Sequence, residues 1–235
     1  MLPGFGGHLV SEFFLERIGT VPPSANPQAL PAERVRRELT AWRRRCGTLG
    51  PASSVRAMLE VGAGPLAEAL GFDPPAAVTP IKNAMVATLR AGNGAAALLV
   101  TMWGEPLDPF WRVAVTEAGR RSVAWCLVFN GTTLRLVDAG RLYARRHVEF
   151  DLDLAIDEAR TFAALWSLAR ADVIGDSHRL HAIVAESDRH AAGVCRSLRD
   201  GVLSASTDVL KALVVRSGRS RRRPLPRLDE GSSRR

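Results

Sequence analysis

The segment 123–137 constrains this chain more than any other. Val123 to Phe129 is strongly apolar, Asn130-Gly131 follows, and Thr133 to Val137 alternates apolar and polar side chains. A short apolar run bounded by turn residues is the pattern of a buried strand. Asn-Gly supplies the two positive-φ positions of a tight turn whose twist matches its flanking strands. The segment predicts a β-hairpin, and a hairpin needs further strands or a helical layer before its apolar face is covered.

Neighbouring sequence supplies both. Asn83 to Arg90 reads as a strand, and Ala96 to Met102 is a continuous apolar run of buried-strand length. Asp108-Pro109 starts a helix that runs to about Gly119, with Asp108 accepting orphan amides and Pro tolerated in the first turn. His147 to Leu152 adds a strand, and a helix from Asp157 carries Phe162, Leu165, Trp166 and Leu168. The order of elements predicts an α/β fold, a mixed sheet flanked by helices, over residues 51–174.

The first 50 residues read as helices. Leu9, Phe13 and Ile18 share one side of a short helix after the Gly4-Phe5-Gly6-Gly7 lead-in, and Val21 to Pro31 forms an extended loop. Gly4-Phe5-Gly6-Gly7 lacks the preceding strand and the lysine of a phosphate loop. Val35, Leu39, Trp42 and Cys46 recur at helical spacing, with Arg34, Arg36, Arg37, Arg43, Arg44 and Arg45 on the remaining surface. Gly47 and Gly50-Pro51 stop that helix. Ser53 or Ser54 caps the next, which Gly62 and Gly64-Pro65 interrupt.

Residues 175–217 read as a long helical arm carrying Leu180, Val184, Val194, Leu198, Val202, Leu210 and Leu213, bent near Gly201. The segment 218–235 has too few apolar residues to fold and is expected to be disordered.

Charge must be located before it is used. The net charge is +8, but residues 216–235 hold eight arginines against Asp229 and Glu230, leaving the other 215 residues near neutral. An arginine-rich tail binds phosphate without sequence preference. The three cysteines, Cys46, Cys126 and Cys195, lie far apart among apolar neighbours and read as buried thiols, which suits a reducing, cytoplasmic setting. No stretch approaches the ~20 apolar residues needed to cross a bilayer, so no membrane partner is expected.

Four stretches together resemble the amino-terminal region of type IIG-like restriction-modification proteins. They are Leu9-Val10-Ser11-Glu12-Phe13-Phe14-Leu15-Glu16, Trp103-Gly104-Glu105-Pro106-Leu107-Asp108, the hairpin from Trp125 through Gly131 to Val137, and Glu149-Phe150-Asp151-Leu152. The helix from His178 is similar to the connector leading into their methyltransferase domain, and the likeness extends to about Val215. The resemblance implies a restriction-endonuclease-like core of the PD-(D/E)XK type. In full-length relatives it also implies S-adenosylmethionine and Mg²⁺ as cofactors.

That nuclease chemistry needs an aspartate on one strand and an acid-x-lysine on the next, because clustered carboxylates bind Mg²⁺ and the lysine helps activate water. Asn83-Ala84-Met85-Val86-Ala87-Thr88 and Leu98-Leu99-Val100-Thr101-Met102 offer neither. Glu105 and Asp108 are the nearest carboxylates, so an active Mg²⁺ endonuclease would need them in migrated positions. No glycine-rich cofactor loop follows a strand, and no Asn-Pro-Pro-aromatic tetrapeptide is present to grip a flipped base.

The expected function is a noncatalytic DNA-contacting or scaffolding domain, a truncated fragment of a modification methyltransferase, with no cofactor and no metal of its own. Arg112, Arg135, Arg145 and Arg146 flank the sheet where such a fold faces DNA, and guanidinium groups suit phosphate contacts. Trp103, Trp111, Trp125 and Trp166 read as core. His178 and His181 share a helix side but His190 points away, which excludes a helical metal trio. A third class of function is helix-mediated association, in which residues 178–215 pack on a methyltransferase domain or on a second copy.

Overall fold

The computed structural model describes residues 2–18, 32–141, 143–176 and 178–220. The strands are β1 Phe5–Gly7, β2 Ala76–Ile81, β3 Ala84–Ala91, β4 Gly94–Val100, β5 Trp125–Phe129, β6 Thr133–Asp138 and β7 His147–Asp151. They form one sheet in the order β1-β7-β6-β5-β4-β3-β2. Neighbours are antiparallel except β4 and β5, which run parallel. A parallel pair needs a crossover, and helix α5 (Trp111–Arg120) supplies it. The mixed α/β architecture read from the sequence is present.

The remaining helices are α1 Glu12–Ile18, α2 Ala32–Cys46, α3 Val55–Ala57, α4 Gly64–Ala69, α6 Leu152–Asp157, α7 Ala159–Ala169, α8 Ala171–Ile174 and α9 Arg179–Ser220. Most helices share one core with Leu98, Val100, Leu127, Phe129, Leu136 and Phe150 of the sheet. A smaller core on the opposite face joins Val86, Leu99 and Val128 to Trp111, Ala114 and Ala118 of α5. Strand periodicity sends alternate residues to the two faces, so β4 and β5, apolar at every position, are covered on both.

Several expectations are corrected. The glycine-rich lead-in is the edge strand β1, paired with β7. Gly7 has φ 93°, and a side chain there would collide with the His147 carbonyl, so close backbone approach accounts for the glycine. β2 is a second edge strand, exposed along nearly its whole length. In the hairpin turn only Gly131 has positive φ, 97°. Asn130 acts through its side chain, whose oxygen accepts the amides of Thr132 (3.1 Å) and Thr133 (2.7 Å).

Gly62 and Gly64-Pro65 do not interrupt the helix that Ser54 caps. A π-helical turn, Met58–Ala63, joins α3 to α4. A Cβ at Gly62 would sit 2.8 Å from the Phe129 ring, and its carbonyl accepts the Trp42 indole N–H at 2.8 Å, so the turn packs tightly on the sheet. Helix α9 is continuous through Gly201. Cys46 and Cys126 are buried, and desolvation pushes their thiols up to about 11 and about 12; Cys195 is exposed, contrary to expectation.

The chain divides into two units, Met1–Arg189 and His190–Arg235. In the second, every side chain described from Ala191 to Arg216 is exposed, including Val194, Leu198, Val202 and Leu213. No described helix is long and apolar enough to cross a membrane. The expected loop at Val21–Pro31 and the part of the expected disordered segment beyond Ser220 lie outside the described residues, while residues 218–220, also expected to be disordered, form the end of α9.

Candidate nucleic-acid interface

Arg135 in β6 and Glu149 in β7 are direct cross-strand partners, so their side chains leave the same face of the sheet together. Glu149 accepts from Arg135 Nε at 3.0 Å and Nη2 at 2.7 Å. Asp108 lies in the 3₁₀ turn Asp108–Phe110 that leads into α5, and its carboxylate reaches Arg135 Nη1 at 2.8 Å. The Asp108 side chain therefore pairs with Arg135 and does not cap the helix. Only 8% of the Arg135 side chain is accessible, against 85% for Asp108. The guanidinium expected to face phosphate is committed to two carboxylates of its own chain.

Arg146 is committed in the same way. It donates to both Asp188 oxygens, at 2.8 and 2.6 Å, and to the Leu9 carbonyl at 2.9 Å, tying the start of β7 to the first turns of α9. That bond and the Arg146 charge hold the Asp188 carboxyl below the usual carboxylate range. Arg112, in the first turn of α5, and Arg145, before β7, are exposed and have no ion-pair partner among the described residues. Of the four arginines singled out from sequence, these two remain open to a phosphate. On α2, Arg37, Arg44 and Arg45 are exposed in the same unpaired way.

The same face carries two histidines that sequence reasoning did not select. The His8 and His147 rings meet edge-on at 5.3 Å, and Trp111 lies 6.4 Å from His147. His147 Nδ1 is 3.0 Å from the Arg145 carbonyl, which can only accept, so Nδ1 carries the hydrogen and Nε2 is the acceptor. Burial, helped by the Arg135 charge, lowers the His147 pKa below its usual value. The register signal that pairs Arg135 with Glu149 would also have placed His147 beside Val137, but it requires knowing how β6 and β7 align.

The weak catalytic candidates do not come together. Asp108 gathers with Glu149 around Arg135, while the Glu105 backbone carbonyl accepts Asn130 Nδ2 at 2.9 Å in the loop after β4. Among the described residues, no three His, Cys, Asp or Glu side chains are grouped to hold a metal ion. His181 packs against Trp125 at 4.8 Å and His178 is exposed. Compared with known proteins, the chain matches no family model, no curated sequence and no solved structure.

Proposed function

We propose that this chain is a noncatalytic DNA-contacting domain of the type IIG-like restriction-modification class. One observation carries the reading. Strands β3 and β4 are hydrogen-bonded neighbours, the placement that this nuclease chemistry requires for its aspartate and its acid-x-lysine. They present Ala84, Val86, Ala97 and Leu99 to one face and Ala87, Leu89, Leu98 and Val100 to the other. On this reading the two strands stand where the nuclease acids and lysine would lie, and they carry neither. Contact with DNA then rests on open guanidinium groups, Arg112 and Arg145 beside the sheet and Arg37, Arg44 and Arg45 on α2. Mg²⁺ and S-adenosylmethionine belong, on this reading, to proteins of that class that carry the nuclease acids and a methyltransferase domain.

Incubating the full chain with plasmid and Mg²⁺ or Mn²⁺ tests the noncatalytic part. The expected result is retarded migration without nicking, unchanged by Glu105→Ala. Nicking that Glu105→Ala or Asp108→Asn abolishes would establish the endonuclease reading instead.

A second reading, scaffolding, is favoured by Val194, Leu198, Val202, Leu210 and Leu213, which are all more than half exposed except Val194 at 44%. Apolar side chains in such number mark an association surface, for a methyltransferase domain or for a second copy. Sedimentation equilibrium should show concentration-dependent association of the full chain; a monomer at every concentration counts against the second copy.

A further inference from the structure

A cavity of about 340 Å³ lies at the carboxyl ends of β4 and β5, with Trp103 following the first strand and Gly131 and Thr132 the second. Crevices outside the carboxyl ends of strands are where open α/β sheets take ligands. Two indoles line it. Trp42 is 2% exposed and fixed by its bond to the Gly62 carbonyl. Trp103 is only half-buried, and its ring lies so close to Gly131 that any side chain there would strike it. A planar platform held in place loses little freedom when another ring stacks on it.

The polar part of the wall is equally specific. Arg43 is held by Asp157 at 2.8 Å and lies 3.9 Å from Asp153. Asp153 keeps 72% of its side chain accessible, so its carboxylate can accept from an exocyclic amine or a ring N–H. Arg44 and Arg45, on the same last turn of α2 but not in the cavity wall, are exposed and unpaired among the described residues. An aromatic floor, an acceptor at its edge and free guanidinium groups outside match a base attached to a phosphodiester chain.

We propose that this cavity receives one unstacked nucleobase of a single DNA strand, its plane on the Trp103 indole and its neighbouring phosphates on Arg44 and Arg45. The proposal rests on the DNA-contacting reading and adds the state of the strand that is bound. Because Trp42, Trp111, Trp125 and Trp166 are all buried, Trp103 is the tryptophan open to quenching by a stacked base.

Fluorescence anisotropy of the full chain with a labelled thymidine oligonucleotide, and with the same phosphodiester backbone lacking bases, reads the proposal directly. The intact strand should bind about tenfold more tightly and quench tryptophan emission, because stacking is worth a factor of this order per base. The arginine tail sees both strands alike and does not blur the difference. Trp103→Ala should abolish the preference and Trp103→Phe should keep most of it. A paired Arg44→Glu, Arg45→Glu change should weaken both strands. The wild-type comparison decides the matter even if Trp103→Ala fails to fold. Equal affinity for the two strands overturns the cavity proposal while leaving DNA contact intact. Free thymidine monophosphate competing as well as the oligonucleotide would assign the cavity to a nucleotide and overturn the strand. No binding to either strand or to duplex DNA overturns both readings.

Discussion

On one face of the sheet, Leu98, Leu127, Phe129 and Phe150 share a continuous core with Phe14 of α1, Leu39 of α2, Leu66 of α4 and Phe162 of α7. On the other, α5 provides the cover, and β6 and β7 show Arg135, His147 and Glu149. Geometry accounts for the difference. A single helix is ~10 Å across with its side chains, and strands are spaced ~4.8 Å apart, so one helix covers about two strands. The uncovered part of the face is closed by the Arg135 ion pairs and the histidine pair. Apolar burial on the thick face specifies the fold, and the thin face holds polar groups that the fold does not need for its core.

The largest test of this contrast is on the thick face. Phe129 is fully buried, and its ring centroid lies 6.3 Å from that of Trp42 in a tilted pair. Phe129→Ala should lower unfolding stability by about 4 kcal/mol, read from the urea midpoint, through lost burial and the cavity left behind. A loss below about 1 kcal/mol would mean that the thick face does not carry the fold.

Next in size is the hub of the thin face. Arg135→Met removes a guanidinium shared by two carboxylates, and because Glu149 and Asp108 remain partly hydrated the loss should be about 2 kcal/mol, less than for a fully buried pair. Asp108→Asn, at an exposed partner, should cost under about 0.5 kcal/mol. Equal losses from the two substitutions would show that Arg135 is held by Asp108 alone.

The smallest effect concerns pH. Burial lowers the His147 pKa in the folded protein from 6.5, so the unfolded chain takes up its proton first as pH falls. The stability associated with neutral His147 is present above pH 6.5 and declines as pH drops toward the folded value. Burial is the main cause of the lowering, the bond to the Arg145 carbonyl and the Glu149 charge oppose it, and the Arg135 and His8 charges add to it. Urea midpoints measured from neutral to mildly acidic pH should fall less steeply for His147→Gln than for the wild type; parallel profiles would remove His147 as the titrating group.

Much of the fold was legible because its signals are local. The hairpin, the strand read at Asn83–Arg90, the buried run at Ala96–Met102 and the apolar stripe of α2 each follow from periodicity and turn chemistry within one segment. β1 and β2 were not legible. Both are edge strands, one three residues long and mostly glycine, the other containing Pro80, and such composition reads as loop until a neighbouring strand is there to pair. Gly62 read as a break because its packing against Phe129 is a tertiary fact.

The candidate site was less legible than the fold. Arginine side chains look alike in sequence, and only the strand register and the position of Asp108 separate the engaged Arg135 from the open Arg112 and Arg145. The cavity required three loops and two helix ends, those of α2 and α6, to converge on Trp42 and Trp103.

The decisive measurement is the salt dependence of duplex DNA binding by the 235-residue chain in which the seven arginines from Arg219 to Arg235 are replaced by serine. Open arginines on the folded body should still bind DNA at low salt, with log affinity falling against log salt at a slope of about −3 or steeper, close to −0.9 per phosphate engaged. Absence of binding at low salt in this variant would show that the tail alone makes the contact and would contradict the DNA-contacting role of the folded domain.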